Sequence, residues 1–301
     1  MSIESAGTGF HRDRPLLGVA FTVMSVLLFS LMDATVKWLG ADYPIREIVF
    51  FRCVVALAPA MVFIHRAGGF QILRTSHPVL HALRAVGGLG AMFLSFQAYS
   101  LMPLADAVSV FYAAPLFMAA LSVPMLGEHV GVRRWTAIAV GFAGVLIVVR
   151  PGGDVFGNGG LLMLSAAALV GVTTNLIRRL SGTDDPASIT FYFTASGAVL
   201  GTIACLWAGW IVPDAFDLLL FFAVGLLGGC AQYALSVSYR YAEVGFLAPL
   251  KYLAIISGGI IGYLVWSEVP DAQSLAGIAI IIGSGLYMVH REARIRRLKN
   301  M

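Results

Sequence analysis

The chain has 301 residues, 59% of them hydrophobic and only 12% charged, with a mean hydropathy of +0.85 and a formal net charge of +4. Soluble domains carry roughly 25% charged residues, so this composition excludes soluble domains, and its apolar content excludes intrinsic disorder. The basic residues stand at the ends of apolar runs and form no stripe, which argues against nucleic acid as a partner and for a lipid bilayer.

Residues 1–14 are polar, lack the apolar core of a signal peptide, and read as a tail. A spanning helix needs about 20 mostly apolar residues. Such runs follow at 15–39, 44–65, 78–101, 103–126, 131–149, 157–180, 186–210, 215–240, 243–266 and 271–290, before a basic tail at 291–301. Pro15, Pro44, Pro78, Pro103, Pro186 and Pro270 sit at or near their starts, where a missing N–H costs little. Gly68-Gly69, Pro151-Gly152-Gly153 and Asp184-Asp185-Pro186 read as turns. The runs do not alternate as barrel strands would. The predicted fold class is an all-α polytopic membrane protein of ten transmembrane helices. Cys53, Cys205 and Cys230 lie inside these runs and are expected to be buried small hydrophobes.

An even number of spans puts both termini on one side. If that side is the cytoplasm, it collects Arg12, Arg14, Arg66, Arg74, Arg84, Arg133, Arg134, Arg178, Arg179, Arg240 and the basic tail. The other side keeps Lys37, Arg46 and Arg150, so the N and C termini are expected inside. Trp38, Trp207, Trp210 and Trp266 then fall near the outer interface.

A shift of 142 carries Pro44 onto Pro186 and Phe51 onto Phe193; a shift of 140 carries Gly88 onto Gly228, Tyr99 onto Tyr239, Tyr112 onto Tyr252 and Glu128 onto Glu268. Five helices per half is an odd number, so the second copy must be inverted. Two inverted five-helix repeats, 15–150 and 157–290, place a substrate site near the midplane where the copies meet. The pairs Gly197/Gly201, Gly225/Gly229 and Gly258/Gly262 let helices approach closely, for packing or for sliding.

A Glu closes the fourth run of each half. The stretch from Pro115 to Glu128 is followed by Gly141-Phe142-Ala143-Gly144. The second half carries Ala248-Pro249-Leu250-Lys251-Tyr252, Gly262-Tyr263, Glu268-Val269-Pro270-Asp271 and Gly283-Ser284-Gly285, with Ile255 where the first half has Pro115. In these features the chain resembles the EamA-type transporters of the drug/metabolite transporter superfamily over nearly its whole length. The resemblance implies a bacterial inner-membrane transporter of small metabolites. Within the superfamily the YddG-type exporters of aromatic and other apolar amino acids are the leading comparison, and carriers of nucleotide-linked or phosphorylated sugars or of drugs are the alternatives.

Lys251 lies about 10 Å into the ninth run at 1.5 Å per residue, and a mid-membrane Lys costs roughly 2.5–3.5 kcal/mol on insertion scales. It either faces a wet cavity and attracts a carboxylate or snorkels to the interface. Tyr112 and Tyr252 are repeat mates at mid-helix; they face one another across a central cavity or are core tyrosines. Tyr99, Gln97, Gln232, Tyr233 and Ser236 are the polar minority of the third and eighth runs, each readable as contact or as packing. Arg52 reads as a snorkelling or acid-paired residue, and Asp33 as the i,i+4 partner of Lys37. Glu128 and Glu268 read as caps or gate partners. An outer gate is expected near Asp33, Lys37 and Asp106, and an inner gate near Glu128 and Arg240.

No GxxxxGK[ST], HExxH or GxSxG occurs. His77 and His81 are four apart but read as interface residues without a nearby acid or thiol. No metal or cofactor is expected. An intramembrane enzyme would need a cluster of reactive groups at one depth, which the sequence does not display. The expected partners are a small-molecule substrate and the bilayer, and short loops with self-contained halves are compatible with a monomer.

Overall fold

The structure, a computed structural model, describes residues 15–126, 132–149, 158–180, 183–241, 247 and 250–299. The described residues are helical, with α1 Pro15–Leu39, α2 Ile45–Arg66, α3 Pro78–Tyr99, α4 Leu104–Phe111, α5 Ala114–Leu126, α6 Val132–Val149, α7 Asn158–Leu180, α8 Pro186–Ala208, α9 Ala215–Tyr241, α10 Leu253–Trp266 and α11 Ala272–Lys299. Six of them, α1, α2, α3, α7, α8 and α9, are long and apolar enough to cross a membrane singly. Local chemistry sets the ends. Asp185 accepts the Ala187 N–H at 2.8 Å and precedes Pro186 at the start of α8. Between α2 and α3, Gly68 and Gly69 have φ of 123° and 79°, which only glycine adopts freely, and lead into a 3-10 turn at Gly69–Leu73.

Two expected spans are not continuous. The fourth breaks at Tyr112-Ala113, so that α4 and α5 share it, and the ninth breaks at Tyr252, between helical Lys251 and α10. In the first half the cause is local: Pro115, in the first turn of α5, has no N–H to continue the α4 ladder. The second break occurs without a proline at Ile255. At the other extreme, α11 runs on as helix to Lys299, through most of the expected tail.

The second copy is inverted. α1 and α3 finish at the end of the bundle that carries Lys37, where Gly159, at the start of α7, lies beside Leu101. α7 finishes at the opposite end, where the following loop brings Asp184 to His81.

The halves are not self-contained, contrary to expectation. The most extensive packing pairs α1 with α9, α3 with α7, α6 with α11 and α2 with α8, each a pair between halves. Exchanging corresponding spans carries α1–α9 onto α7–α3, α2–α9 onto α8–α3 and α1–α10 onto α7–α5, and returns α2–α8 and α6–α11 to themselves. The repeat is thus written into the packing itself.

α2 is held between glycine faces of α8 and α9. A side chain at Gly201 would meet the Phe50 backbone at 2.9 Å, and one at Gly229 would meet Pro59 at 2.5 Å. Lipid offers no hydrophobic drive between helices, so this van der Waals contact carries their association. The third glycine pair is looser: Gly258 has Val108 at an ordinary 3.4 Å. Outward faces are apolar, with Leu206 and Trp207 among the most exposed residues. Cys53 and Cys205 are buried, but Cys230 is exposed on α9, so only two of the three cysteines are core residues.

Candidate functional site

The two helix breaks meet. The rings of Tyr112 and Tyr252 lie 5.2 Å apart between centroids. The Tyr112 hydroxyl donates to the Lys251 carbonyl at 2.6 Å. Helix ends leave carbonyls without intrahelical partners, and here a side chain from the other half supplies one. Tyr252 is buried with its hydroxyl against Gly285 of α11, while Lys251 is half-buried beside it.

A narrow recess runs from Arg52 of α2 towards Phe63 and Thr190, lined also by Arg84, Phe193 and Gln232. Both guanidinium groups lie over the Phe193 ring, Arg84 at 4.0 Å and Arg52 at 5.6 Å from its centroid. Arg52 is 7% exposed. Asp33 does not pair with Lys37. It lies within hydrogen-bonding reach of the buried Tyr99 hydroxyl and in the field of Arg52.

At the Lys37 end of the bundle, polar contacts tie the two halves together. Lys37 forms an ion pair with Glu268, donates to the Met102 carbonyl at 3.0 Å, and sits 5.0 Å from the Trp266 ring. Glu268 also accepts the Leu104 N–H at 2.9 Å, so its charge caps the N-terminus of α4. Ser267, the one non-glycine with positive φ among the described residues, sets the turn that presents Glu268. Asp106 is buried in the first turn of the same α4. Tyr43 donates to Asp217 at 2.7 Å, and Glu47 accepts the Ile211 N–H at 2.9 Å.

At the opposite end His81 is paired with Asp184 at 2.6 Å, and both are nearly inaccessible. The expectation that His81 has no acid nearby fails because that acid comes from a loop 103 residues away. Burial raises the Asp184 carboxyl pKa, but hydrogen bonds from His81, Thr75 and Thr183 outweigh it and leave it below the ordinary value.

The remaining candidates disperse. Tyr233 stacks on Phe63 at 3.8 Å between centroids, a packing contact of α9 on α2. Gln97 lines a separate shallow groove with Leu101, Leu161 and Ser165. Glu128 and the side chains of Ser236 and Arg240 lie outside the described residues. Sequence reasoning missed Arg84 and Phe193. Arg84 was counted among the interface charges, yet it stands six residues into α3, about 9 Å deep at 1.5 Å per residue; that depth was the available signal.

The model of the EamA-like transporter family matches residues 16–150 and again 157–289. A riboflavin transporter of Rhizobium johnstonii is 28% identical over 94% of this chain and 94% of its own. An S-adenosylmethionine uptake transporter of Rickettsia prowazekii is 27% identical over 93% of this chain and 94% of its own. A pseudopaline exporter of Pseudomonas aeruginosa is 32% identical over 88% of this chain and 93% of its own. One solved crystal structure superposes with a TM-score of 0.65 at 21% identity, covering 92% of this chain and 98% of that one, which shows a shared fold.

Proposed function

Because the chain belongs to the EamA-like transporter family, we propose that it is a secondary carrier of small amphipathic metabolites, aromatic and other apolar amino acids among them, working outward across a bacterial inner membrane. The observation that carries this reading is the meeting of two broken helices at Tyr112 and Tyr252. Discontinuous helices at a repeat interface expose backbone groups where a solute can pass, and irregular backbone at membrane depth is tolerated only in protein or beside a cavity.

Alternating access involves two mixed units and not two halves. α3 and α5 both pack on α7, as α9 and α10 both pack on α1, and each set contains spans from both repeats. Rocking of these sets about the tyrosine pair opens one end while the other closes. With the termini in the cytoplasm the Lys37 end faces outward, and the ion pair to Glu268 makes this an outward-closed state. Single cysteines at the exposed positions Arg74 and Asp214, in a Cys230→Ala background, test the orientation. A membrane-impermeant maleimide should reach the Asp214 site only from outside and the Arg74 site only from the cytoplasm. The opposite pattern refutes it.

The function is tested by flux from proteoliposomes loaded with labelled phenylalanine, glycine, riboflavin or S-adenosylmethionine. Phenylalanine should move faster than glycine, and Tyr112→Ala and Tyr252→Ala should slow phenylalanine more. Lys251→Met removes an insertion cost and keeps volume, so it should fold, yet lose about tenfold or more in phenylalanine flux, the worth of one charge-assisted hydrogen bond. Normal phenylalanine export by a well-expressed Lys251→Met protein would take Lys251 off the path.

A further inference from the structure

Arg52 and Arg84 are two cations held side by side in a membrane-embedded recess. Neither forms a salt bridge among the described residues. Among the described residues, Arg52 Nε and Arg84 Nε and Nη1 have no hydrogen-bond partner. Asp33 lies in the field of Arg52 and can contribute at most one negative charge, which leaves the two arginines with a net positive charge. An unpaired charge at membrane depth is costly and marks a functional position.

Both side chains are aimed into the recess. Arg84 could snorkel to the His81 end, about 9 Å from its Cα along α3. Instead its Nη1 lies against Gly88, one turn deeper, where a Cβ would stand 2.9 Å from it. Arg52 lies against Gly228, with Nε 3.4 Å from the position of a Cβ there. Gly88 and Gly228 are repeat mates, so the missing side chain that makes room for each guanidinium recurs in both halves. Phe193 lies under both groups and holds them by cation–π contact without neutralising them.

Resting on the carrier reading above, we propose that Arg52 and Arg84 over Phe193 form an oxyanion-recognising station that takes the carboxylate or phosphate of an amphipathic solute with an aromatic or other apolar body. Guanidinium groups match the two oxygens of such an anion in a bidentate fork and are less strongly hydrated than an ammonium, so they tolerate a dry site. Phe63, stacked on Tyr233, stands at the far end of the same recess and offers an apolar wall to the solute's body. The recess is narrow in this outward-closed form, so entry follows movement of α2 and α3 relative to α8 and α9.

The test measures binding to the full-length protein in detergent, with 3-phenylpropionate, phenyl phosphate and the neutral 3-phenylpropionamide as probes. At least one anion should bind about tenfold or more tighter than the amide. Arg52→Gln and Arg84→Gln should abolish that preference, and Arg74→Gln, at an exposed position outside the recess, should retain it. Arg84→Lys, which keeps the charge but not the fork, should fold as the parent does and recover the preference in part, which separates recognition from misfolding. Equal affinity for the amide, or an anion preference that follows Lys251 and not the arginines, overturns the proposal. So does a response to added phosphatidylglycerol with none to either soluble anion, which assigns the recess to a lipid headgroup. Binding without flux in proteoliposomes sinks the carrier reading and leaves the station standing. Flux that ignores solute charge does the reverse.

Discussion

Replacing Glu268 by Gln should destabilise the protein by about 3 kcal/mol and leave the Lys37 end open. Glu268 pairs with Lys37 while both side chains are largely hidden, at 21% and 9% exposure. Removing one partner of a buried pair strands the other, which costs about 3–5 kcal/mol. The lower figure applies because Lys37 keeps the Met102 carbonyl at 3.0 Å and the Trp266 ring. The substitution also takes a negative charge from the N-terminus of α4, where the Leu104 N–H is held at 2.9 Å. Thermal unfolding in detergent reads the stability, and maleimide labelling of a cysteine at Met102 reads the opening. Lys37→Met alone should be damaging too, and the double variant should lose less than the two singles summed, because the pair acts as a unit. Unchanged melting and labelling in Glu268→Gln would show that this end is closed by packing alone.

Gly225→Leu should prevent the bundle from assembling, whereas Gly283→Leu should be tolerated. A Cβ at Gly225 would run into Val55 of α2, with its Cγ1 at 2.8 Å and the Phe51 carbonyl at 3.1 Å, and the rest of a leucine has nowhere to go. α2 is also gripped by α8, so it cannot retreat. Overpacking usually costs about 1–3 kcal/mol, and here helix backbones must separate, so a loss of about 3 kcal/mol or more is expected. At Gly283 nothing lies within 4 Å of a Cβ, and the position is exposed. Leucine there gains helix propensity and faces lipid, so its effect should stay within about 0.5 kcal/mol. Size-exclusion profiles and melting temperatures of the two variants decide the matter. Equal behaviour would mean that the α2–α9 contact does not hold the fold.

What could be read from the chain alone followed from sums along it. A span is recognisable because apolar surface must face lipid whatever its neighbours are, and Pro and Gly mark its ends by their own backbone chemistry. The repeat was legible in Tyr112/Tyr252 and Gly88/Gly228 because the same structural demand recurs at the same place in each half. The Pro115 break had a local cause and could have been read; its counterpart at Tyr252 has no proline beside it at Ile255.

Tertiary structure decided every matter of partnership. Asp33 and Lys37 are spaced for an i,i+4 pair, a rule that holds on an isolated helix. In the folded chain each finds a better-placed partner, Tyr99 for one and Glu268, 231 residues away, for the other. The pairing of helices across the halves was invisible too, since hydropathy says which residues leave water and not which helix they meet. Arg84 shows the same division. Its charge was counted correctly from the sequence, but its direction depends on Gly88 leaving room and on Phe193 arriving from α8. A charge's cost in a membrane is set by its surroundings, and those exist only once the helices have packed.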